Sequence, residues 1–229
     1  MNIQEPESLL YTKTGLEIYD IFGTIQCEGP FIGHSAIFIC LAGCNLKCSM
    51  CDTDYTSKRE FLTNEKIFSI VKEKFPLCWL IVVTGGEPFR QNIQPLISLL
   101  LDNHYLVQIE TNGTLYQRLP YYNISLYIGC SPKTSSINKM IQPKINYYKY
   151  ILDHRHIDEH DGLPIRSLGH PSRINVARPQ KDFTGSIFVQ PEYTESIVEY
   201  KKNLDVAVSS VMKFGYRLSL QINNIIGVN

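Results

Sequence analysis

The sequence lacks a long apolar run, a surplus of one charge and a segment typical of an export signal. Its longest apolar stretch, Ala36 to Cys44, is well below the ~20 residues that a membrane-spanning helix needs. Basic and acidic residues both number 22, and a net charge of zero argues against a nucleic-acid-binding protein. The first fifteen residues contain two glutamates and no apolar core segment, so we expect no signal peptide. These absences predict a cytoplasmic protein that binds neither nucleic acid nor a membrane.

The seven cysteines are unevenly distributed along the chain. Four of them, Cys40, Cys44, Cys48 and Cys51, lie within twelve residues, and the other three are scattered. An odd number without an export signal argues against a disulfide framework and for a reducing compartment. Clustered cysteines in such a protein usually bind metal.

Short apolar runs that favour strands alternate with segments that favour helices. Several runs are apolar at successive positions, which is typical of parallel strands that crossover helices bury on both faces. We therefore predict an α/β fold with parallel strands, in an open sheet or a barrel, and with the site at their carboxyl ends. The predicted strands are Glu17–Thr24, Ala36–Leu41, Leu80–Val83, Leu106–Glu110, Leu126–Cys130, Tyr147–Leu152 and Ser186–Gln190; the predicted helices are Asn64–Phe75, Gln94–Asn103 and Thr194–Phe214.

The stretch from about 153 to 183 is polar and carries four of the six histidines. We predict one domain over residues 1–229, with this stretch as a loop-rich insertion. Residues 153–161 are compatible with a second metal site or with a solvated loop. Alternatively the stretch is a lid, or a docking loop for an acidic reductase that would use Arg166, Arg173 and Arg178.

Cys44, Cys48 and Cys51 are separated by three and two residues, in a loop that directly follows a predicted buried strand. This spacing supplies three ligands to one face of a cubane iron–sulfur cluster and leaves a fourth position open, which favours catalysis. A zinc knuckle that takes Cys40 or a distant residue as its fourth ligand is the alternative. Ordinary buried cysteines are a further one.

The C-x3-C-x2-C spacing resembles that of the radical S-adenosylmethionine (SAM) superfamily. The turn Thr84-Gly85-Gly86-Glu87-Pro88, which follows the apolar run WLIVV, supports the resemblance. In that superfamily the open iron of a [4Fe–4S] cluster binds SAM, and the glycine-rich turn meets the methionyl amine.

Further segments narrow the resemblance to the 7-carboxy-7-deazaguanine synthase family. They are FGTIQCEGP at 22–30, Cys51-Asp52-Thr53, CSPK at 130–133, Gln190-Pro191 and RLSLQ at 217–221. The resemblance implies a trimmed, TIM-like radical SAM barrel, often dimeric, that binds a [4Fe–4S] cluster, SAM and Mg²⁺. It also implies a carbon–nitrogen lyase reaction. A flavodoxin-like reductant supplies an electron, and a 5′-deoxyadenosyl radical contracts the ring of 6-carboxy-5,6,7,8-tetrahydropterin with loss of ammonia.

The same resemblance implies roles for individual residues. Cys44, Cys48 and Cys51 match the cluster ligands, and Thr53 matches a Mg²⁺ ligand. The positions that match SAM contacts are Met50, Cys51, Asp52, Gly86, Ser131, Pro132, Lys133 and Gln190. The positions that match substrate contacts are Ile25, Gln26, Cys27, Cys40 and Thr84. Glu110-Thr111-Asn112 is compatible with a place near the pocket or with a simple turn.

Three departures from the family pattern concern the substrate pocket. Cys27 replaces a glycine, and Asn223-Asn224 replaces a His-Lys pair. Cys40 replaces an arginine that contacts the substrate carboxylate, a loss of a few kcal/mol unless another group compensates. Arg90 and Arg59 are our candidates for that group. The departures keep open a radical SAM enzyme with an altered substrate, alongside a non-catalytic cluster-binding protein.

Overall fold

The structure is a computed structural model that describes residues 4–11, 14–51, 53–170 and 175–228. Its strands form a nine-stranded sheet in the order β3-β1-β2-β4-β5-β6-β7-β8-β9. The strands are β1 (Gly15–Ile25), β2 (Ser35–Leu41), β3 (Glu60–Thr63), β4 (Leu80–Gly85), β5 (Leu106–Thr111), β6 (Leu126–Cys130), β7 (Tyr147–Leu152), β8 (Ser186–Pro191) and β9 (Arg217–Leu218). The α-helices are α1 (Asn64–Lys74), α2 (Gln94–Asp102), α3 (Ile197–Phe214) and α4 (Asn223–Ile226).

The run of strands from β2 to β9 is parallel throughout, which confirms the predicted α/β class. Within the described residues β3 and β9 lie at the two edges, so the sheet is open, as a trimmed barrel requires. β1 differs from the expectation, because it pairs antiparallel with both β2 and β3. A nine-residue connection from β1 to β2 is too short for the crossover that parallel neighbours need.

Apolar side chains on the helix side of the parallel strands form the main core. Ile37 and Ile39 of β2, Ile81 and Val83 of β4, and Leu96, Ile97 and Leu100 of α2 are all fully buried. β7 is buried along its whole length and alternates between two environments, because successive side chains of a strand point to opposite faces. Tyr148 and Tyr150 pack in the core, whereas Lys149 and Ile151 line a cavity on the inner face.

The helix ends follow from capping side chains. The hydroxyl of Thr63 accepts a hydrogen bond from the N–H of Lys66 and caps α1. α3 begins at Ile197 rather than at the predicted Thr194, because the hydroxyl of Ser196 accepts from the N–H of Glu199. It ends where Gly215 takes a left-handed conformation (φ 75°).

The connection between β7 and β8 contains no helix or strand in its described parts, residues 153–170 and 175–185. Leu163 and Val176 are nevertheless buried in the main core, and Arg178 binds the carboxylate of Asp161. Arg166 is exposed, and Arg173 lies outside the described residues. In the described part of the chain, no three His, Cys, Asp or Glu side chains gather around a point where one metal ion would fit, in this loop or elsewhere. No helix among the described residues is both long and apolar enough to cross a bilayer.

Candidate active site

A cavity of about 850 Å³ opens at the carboxyl ends of the parallel strands. Most residues of the predicted site line this cavity. Those that line it are Ile25, Gln26, Cys27, Cys40, Cys44, Cys48, Met50, Cys51, Thr53, Thr84, Gly86, Ser131, Lys133 and Gln190. Pro132 is buried but does not line the cavity, and Asp52 lies outside the described residues.

The three cysteines with cluster spacing lie on one loop after β2. Cys44 and Cys48 are nearly buried, Cys51 is half-buried, and the Cys51 N–H donates to the Cys48 carbonyl at 3.2 Å. Burial raises the pKa of the Cys44 thiol to about 12, and burial raises that of Cys48 to about 11 against the opposing charge of Lys133. These thiols are therefore protonated until a cation replaces their protons, as is usual for thiolate ligands.

The glycine-rich turn after β4 contacts the cysteine loop and the end of β2 through backbone hydrogen bonds. The Gly86 N–H donates to the Leu41 carbonyl and the Glu87 N–H to the Gly43 carbonyl, both at 3.0 Å. A β-carbon on Gly86 would overlap with the Gly43 carbonyl oxygen, so the turn requires glycine for contact with the cysteine loop itself. Glu87 is fully buried and accepts from the Thr111 hydroxyl and the Asn112 N–H at 2.7 and 2.8 Å.

Lys133 and Ser131, which follow β6, lie beside the cysteine loop. The Lys133 ammonium donates to the Ser131 carbonyl at 2.8 Å and is 8% exposed. The positive charge of Lys133 opposes part of the rise that burial causes in the pKa of the Cys48 thiol, so the two groups interact electrostatically. A cation next to a thiolate-bound cluster is well placed to pair with an anionic ligand.

The cavity wall also carries a group of charged residues, of which the sequence analysis placed Glu110 near the pocket and gave Glu28 and Lys149 no role. Glu28, which follows β1, and Glu110 of β5 both face the ammonium of Lys149 on β7. The only sequence signal for Lys149 was a charge inside the otherwise apolar run YYKYIL. Gln190 contacts this group as well, because its amide donates to Glu28 at 2.9 Å.

The two arginines that we expected to replace the missing cation do not reach the cavity. Arg90 is 3% exposed behind the cysteine loop, where it binds Glu17 and the Ala42 carbonyl, each at 2.9 Å. Arg59 binds Glu7 and Glu17 at the surface. The expectation is wrong for both, because neighbouring acidic side chains already hold the two guanidinium groups.

Cys40 contributes no compensating charge. It is 7% exposed, and burial together with the nearby charges of Asp20 and Glu110 raises its pKa to about 12. Among the described residues that line the cavity, the cations are Lys133 and Lys149, and no arginine is present.

The residues present fit a cubane cluster and SAM. Three thiols on one loop border the same cavity, and a buried lysine stands beside them. The spacing of the three thiols on one loop suits three ligands of a cubane cluster, and the ammonium of Lys133 suits an anionic ligand. The cysteine loop would hold the cluster, and Lys133, Met50 and the turn at Gly86 surround the space next to it.

Comparison with known proteins agrees with this geometry. The Radical SAM superfamily model matches residues 38–153, about half of the chain, including the cysteine loop and the glycine turn. Together with the parallel sheet and the thiol-lined cavity, this match defines a radical SAM protein, a class that uses a [4Fe–4S] cluster and SAM.

Relatives narrow the class to one family. A 7-carboxy-7-deazaguanine synthase from Rhodospirillum rubrum is 38% identical over 220 residues, 93% of this chain and 92% of the relative. One from Rickettsia prowazekii is 36% identical over 225 residues, covering 94% and 89%. The chain belongs to the 7-carboxy-7-deazaguanine synthase family, radical SAM enzymes of deazapurine biosynthesis. A solved structure, "Crystal structure of QueE from Escherichia coli", shares the fold with a TM-score of 0.68, 22% identity, and coverage of 90% of this chain and 94% of that one.

Proposed function

We propose that this enzyme converts 6-carboxy-5,6,7,8-tetrahydropterin into 7-carboxy-7-deazaguanine with loss of ammonia, as the family resemblance implies. The observation that carries the proposal is the cavity, which gathers the cysteine loop, Lys133 and the segment Ile25–Cys27 around one space. When bound, the cluster and SAM supply the radical chemistry. This chain orients the reactants and keeps water away from them.

The family resemblance divides the residues that line the cavity into two sets. The cysteine loop, Met50, Gly86, Ser131 and Lys133 belong to the proposed cluster and SAM site. Gln26, Cys27, Cys40 and Thr84 belong to the proposed substrate site, and the Gln26 amide donates to Gln108 at 3.0 Å. Gln190 belongs to the proposed SAM site by the same resemblance, and its amide also contacts Glu28.

We also propose a Mg²⁺ ion held partly by Thr53. Thr53 lines the same cavity two residues after the proposed cluster ligand Cys51, and its side chain offers a hydroxyl oxygen. Mg²⁺ takes few protein ligands and completes its shell with waters and substrate oxygens, so a carboxylated substrate suits it. Removal of Mg²⁺ by a chelator should lower turnover and leave the iron content of the protein unchanged.

The family resemblance further supports a flavodoxin-like reductant, a homodimer and a cytoplasmic location as parts of the proposal. The docking idea that used Arg166, Arg173 and Arg178 loses support at Arg178, whose guanidinium is bound to Asp161 at 2.6 Å.

Anaerobic turnover of cluster-reconstituted protein tests the proposed function. The assay contains SAM, Mg²⁺, reductant and 6-carboxytetrahydropterin, with mass spectrometry for 7-carboxy-7-deazaguanine. We expect product with the wild type and none with Cys48→Ala, which removes one proposed cluster ligand. Cys78→Ala, at a half-buried thiol that does not line the cavity, is the matched control and should retain activity.

A second candidate function keeps the radical chemistry and changes the substrate. Cys40 and the absence of an arginine among the described cavity-lining residues favour it, because a carboxylate would lack the anchor that the family resemblance implies. Formation of 5′-deoxyadenosine without the deazaguanine product would support this candidate over the first.

A further inference from the structure

Lys149 is a buried charge on β7, an interior strand of the sheet. It is 9% exposed, and it lines the inner cavity although the other side chains of β7 are aromatic or aliphatic. A lysine in such a position is costly unless its ammonium is paired. The proposed function assigns no role to Lys149.

The ammonium of Lys149 joins two segments that are remote in the sequence. It forms a short ion pair with Glu28 and lies 3.6 Å from the carboxylate of Glu110. The other Glu28 oxygen accepts from the Gln190 amide at 2.9 Å, and that amide's oxygen accepts from the Ser219 hydroxyl at 3.1 Å. The Glu28 carboxylate is thus held on both sides.

The pKa values of the two carboxylates that face Lys149 are shifted in opposite directions. Burial raises the pKa of Glu110. Burial acts in the same direction on Glu28, but Lys149, Gln190 and Gln221 together outweigh it and hold its pKa below the ordinary value. The remaining titratable groups that face this network are Tyr147, Cys27, Cys40, Asp20 and Lys133.

We propose that Lys149 is a positioning residue that holds the Glu28 carboxylate ionised and fixed in the cavity wall, ready to accept hydrogen bonds from the N–H groups of a heterocyclic substrate. This inference rests on the proposed function for the identity of that substrate. Lys149 itself does not bind the substrate carboxylate, because its ammonium already faces two carboxylates and the group as a whole is not cationic.

Binding of 6-carboxypterin, a stable oxidised analogue, to the reconstituted holoenzyme with SAM tests the inference by calorimetry. Lys149→Met should weaken binding by roughly tenfold or more, because Glu28 then lacks its ion pair. Lys149→Arg keeps the charge and should restore much of the affinity. Lys201→Met, at an exposed lysine of α3, is the matched control and should bind like the wild type.

A double-mutant cycle distinguishes an effect of Lys149 that acts through Glu28 from a direct contact between Lys149 and the substrate. In a Glu28→Gln background, Lys149→Met should add less than about a threefold further loss, since the group that Lys149 positions is already gone. The double variant also removes equal and opposite charges, so it remains informative where Lys149→Met alone does not fold. A full, additive loss would overturn the inference, and so would unchanged binding in Lys149→Met.

The pH dependence gives a readout that a purely structural role would not change. Without Lys149, burial raises the Glu28 pKa, so the carboxylate gains a proton as the pH falls. Binding by Lys149→Met should therefore weaken from about pH 8 to about pH 6, whereas wild-type binding should stay nearly constant. Equal pH profiles for the two proteins would contradict the inference.

Infrared spectroscopy tests Lys149 without any substrate. In a Glu110→Gln background, which removes the other carboxyl group that faces Lys149, Lys149→Met at neutral pH should show an additional carbonyl band of a protonated carboxyl group, and adding Glu28→Gln should remove it. If the wild type neither binds 6-carboxypterin nor forms product, the proposed function fails, while this band still decides whether Lys149 holds Glu28 ionised. Absence of the band would overturn the inference even if turnover is observed.

Discussion

The guanidinium group of Arg90 lies behind the cysteine loop, in contact with carboxylates and carbonyls from three segments. It reaches Glu7 at 3.2 Å, Glu17 at 2.9 Å and the Ser8 carbonyl at 3.2 Å. It also packs against Gly43, one residue before the first cluster cysteine. Arg90 therefore fastens the segment before β1 to the loop that carries the thiols.

Replacing Arg90 should cost stability rather than substrate affinity. Arg90→Met leaves Glu17 without its more buried partner, and we expect the unfolding free energy to fall by about 3 kcal/mol. Arg59→Met removes a more exposed partner of the same carboxylate and should cost under about 1 kcal/mol. Chemical denaturation of both variants measures the difference.

The substrate KM of each variant completes the comparison. Because neither arginine lines the cavity, both KM values should match that of the wild type. A stable Arg90→Met protein with a strongly raised KM would return Arg90 to the role of carboxylate anchor.

Among the structural elements, the glycine turn holds the cysteine loop in position through backbone hydrogen bonds. The turn donates two backbone hydrogen bonds to β2 and the loop, at Leu41 and Gly43, and leaves no space for a side chain at Gly86. The position of the thiols therefore depends on a turn more than thirty residues further along the chain.

Gly86→Ala should impair cluster binding. The added methyl group overlaps with the Gly43 carbonyl, so the loop must shift, and we expect reconstituted protein to retain less than about half of its iron and sulfide. Gly215→Ala is the control, because that position has φ 75° but open space around its Cβ, and its cost is limited to roughly 1 kcal/mol of backbone strain. A normal iron content in Gly86→Ala would show that the loop tolerates the displacement.

Elements with a continuous apolar run were predictable from the sequence. The bounds of β6 and β7 agree with the predicted Leu126–Cys130 and Tyr147–Leu152, because burial on both faces leaves a run of apolar side chains, which in β7 only Lys149 interrupts. β3 and β9 were not predicted, since they have four and two residues and lie at the sheet edges. The start of α3 was wrong by three residues because two hydroxyl residues, Thr194 and Ser196, both resemble a cap, and only the backbone geometry chooses between them.

The residues of the site also differ in whether the sequence predicted them. Contiguous motifs such as the cysteine loop and the CSPK segment were identified from spacing and resemblance. The ion-paired group of Glu28, Glu110 and Lys149 was not identified. Glu28 and Glu110 were noted only as parts of the FGTIQCEGP and Glu110-Thr111-Asn112 segments, and Lys149 not at all, because three remote strands or loops bring them together. Arg90 illustrates the converse, since nearness in sequence to the glycine turn did not place it in the cavity.

At the scale of the whole molecule, the start of the long connection after β7 is organised by the Asp153 carboxylate. Its carboxylate accepts from Arg155 at 2.9 Å and contacts His156 at 2.8 Å. Although burial acts in the opposite direction, these partners lower the pKa of Asp153 to about 2. Because the folded state binds the proton less readily than the unfolded chain, Asp153 stabilises the fold above its ordinary pKa, and this contribution is lost as the pH falls towards about 2.

Asp153→Asn should make the protein less sensitive to acid. The difference in unfolding free energy between wild type and variant should shrink by about 1 to 2 kcal/mol from pH 5 to pH 2, part of the interaction being screened by solvent. Urea unfolding at several pH values measures it. Asp182→Asn, in the same connection, is a control for a carboxylate without these partners, and a constant difference for Asp153→Asn would contradict the assignment.

The polar connection between β7 and β8 has a consequence for protein engineering. Leu163 and Val176 insert into the core, Phe183 packs edge-on against Tyr148, and the Tyr150 hydroxyl donates to the Ala177 carbonyl at 2.8 Å. The connection thus covers the outer face of β7, a task that a crossover helix performs in a complete barrel. Affinity tags, fluorescent insertions and loop-shortening deletions, which are usually directed to hydrophilic segments without regular structure, should be kept out of this one.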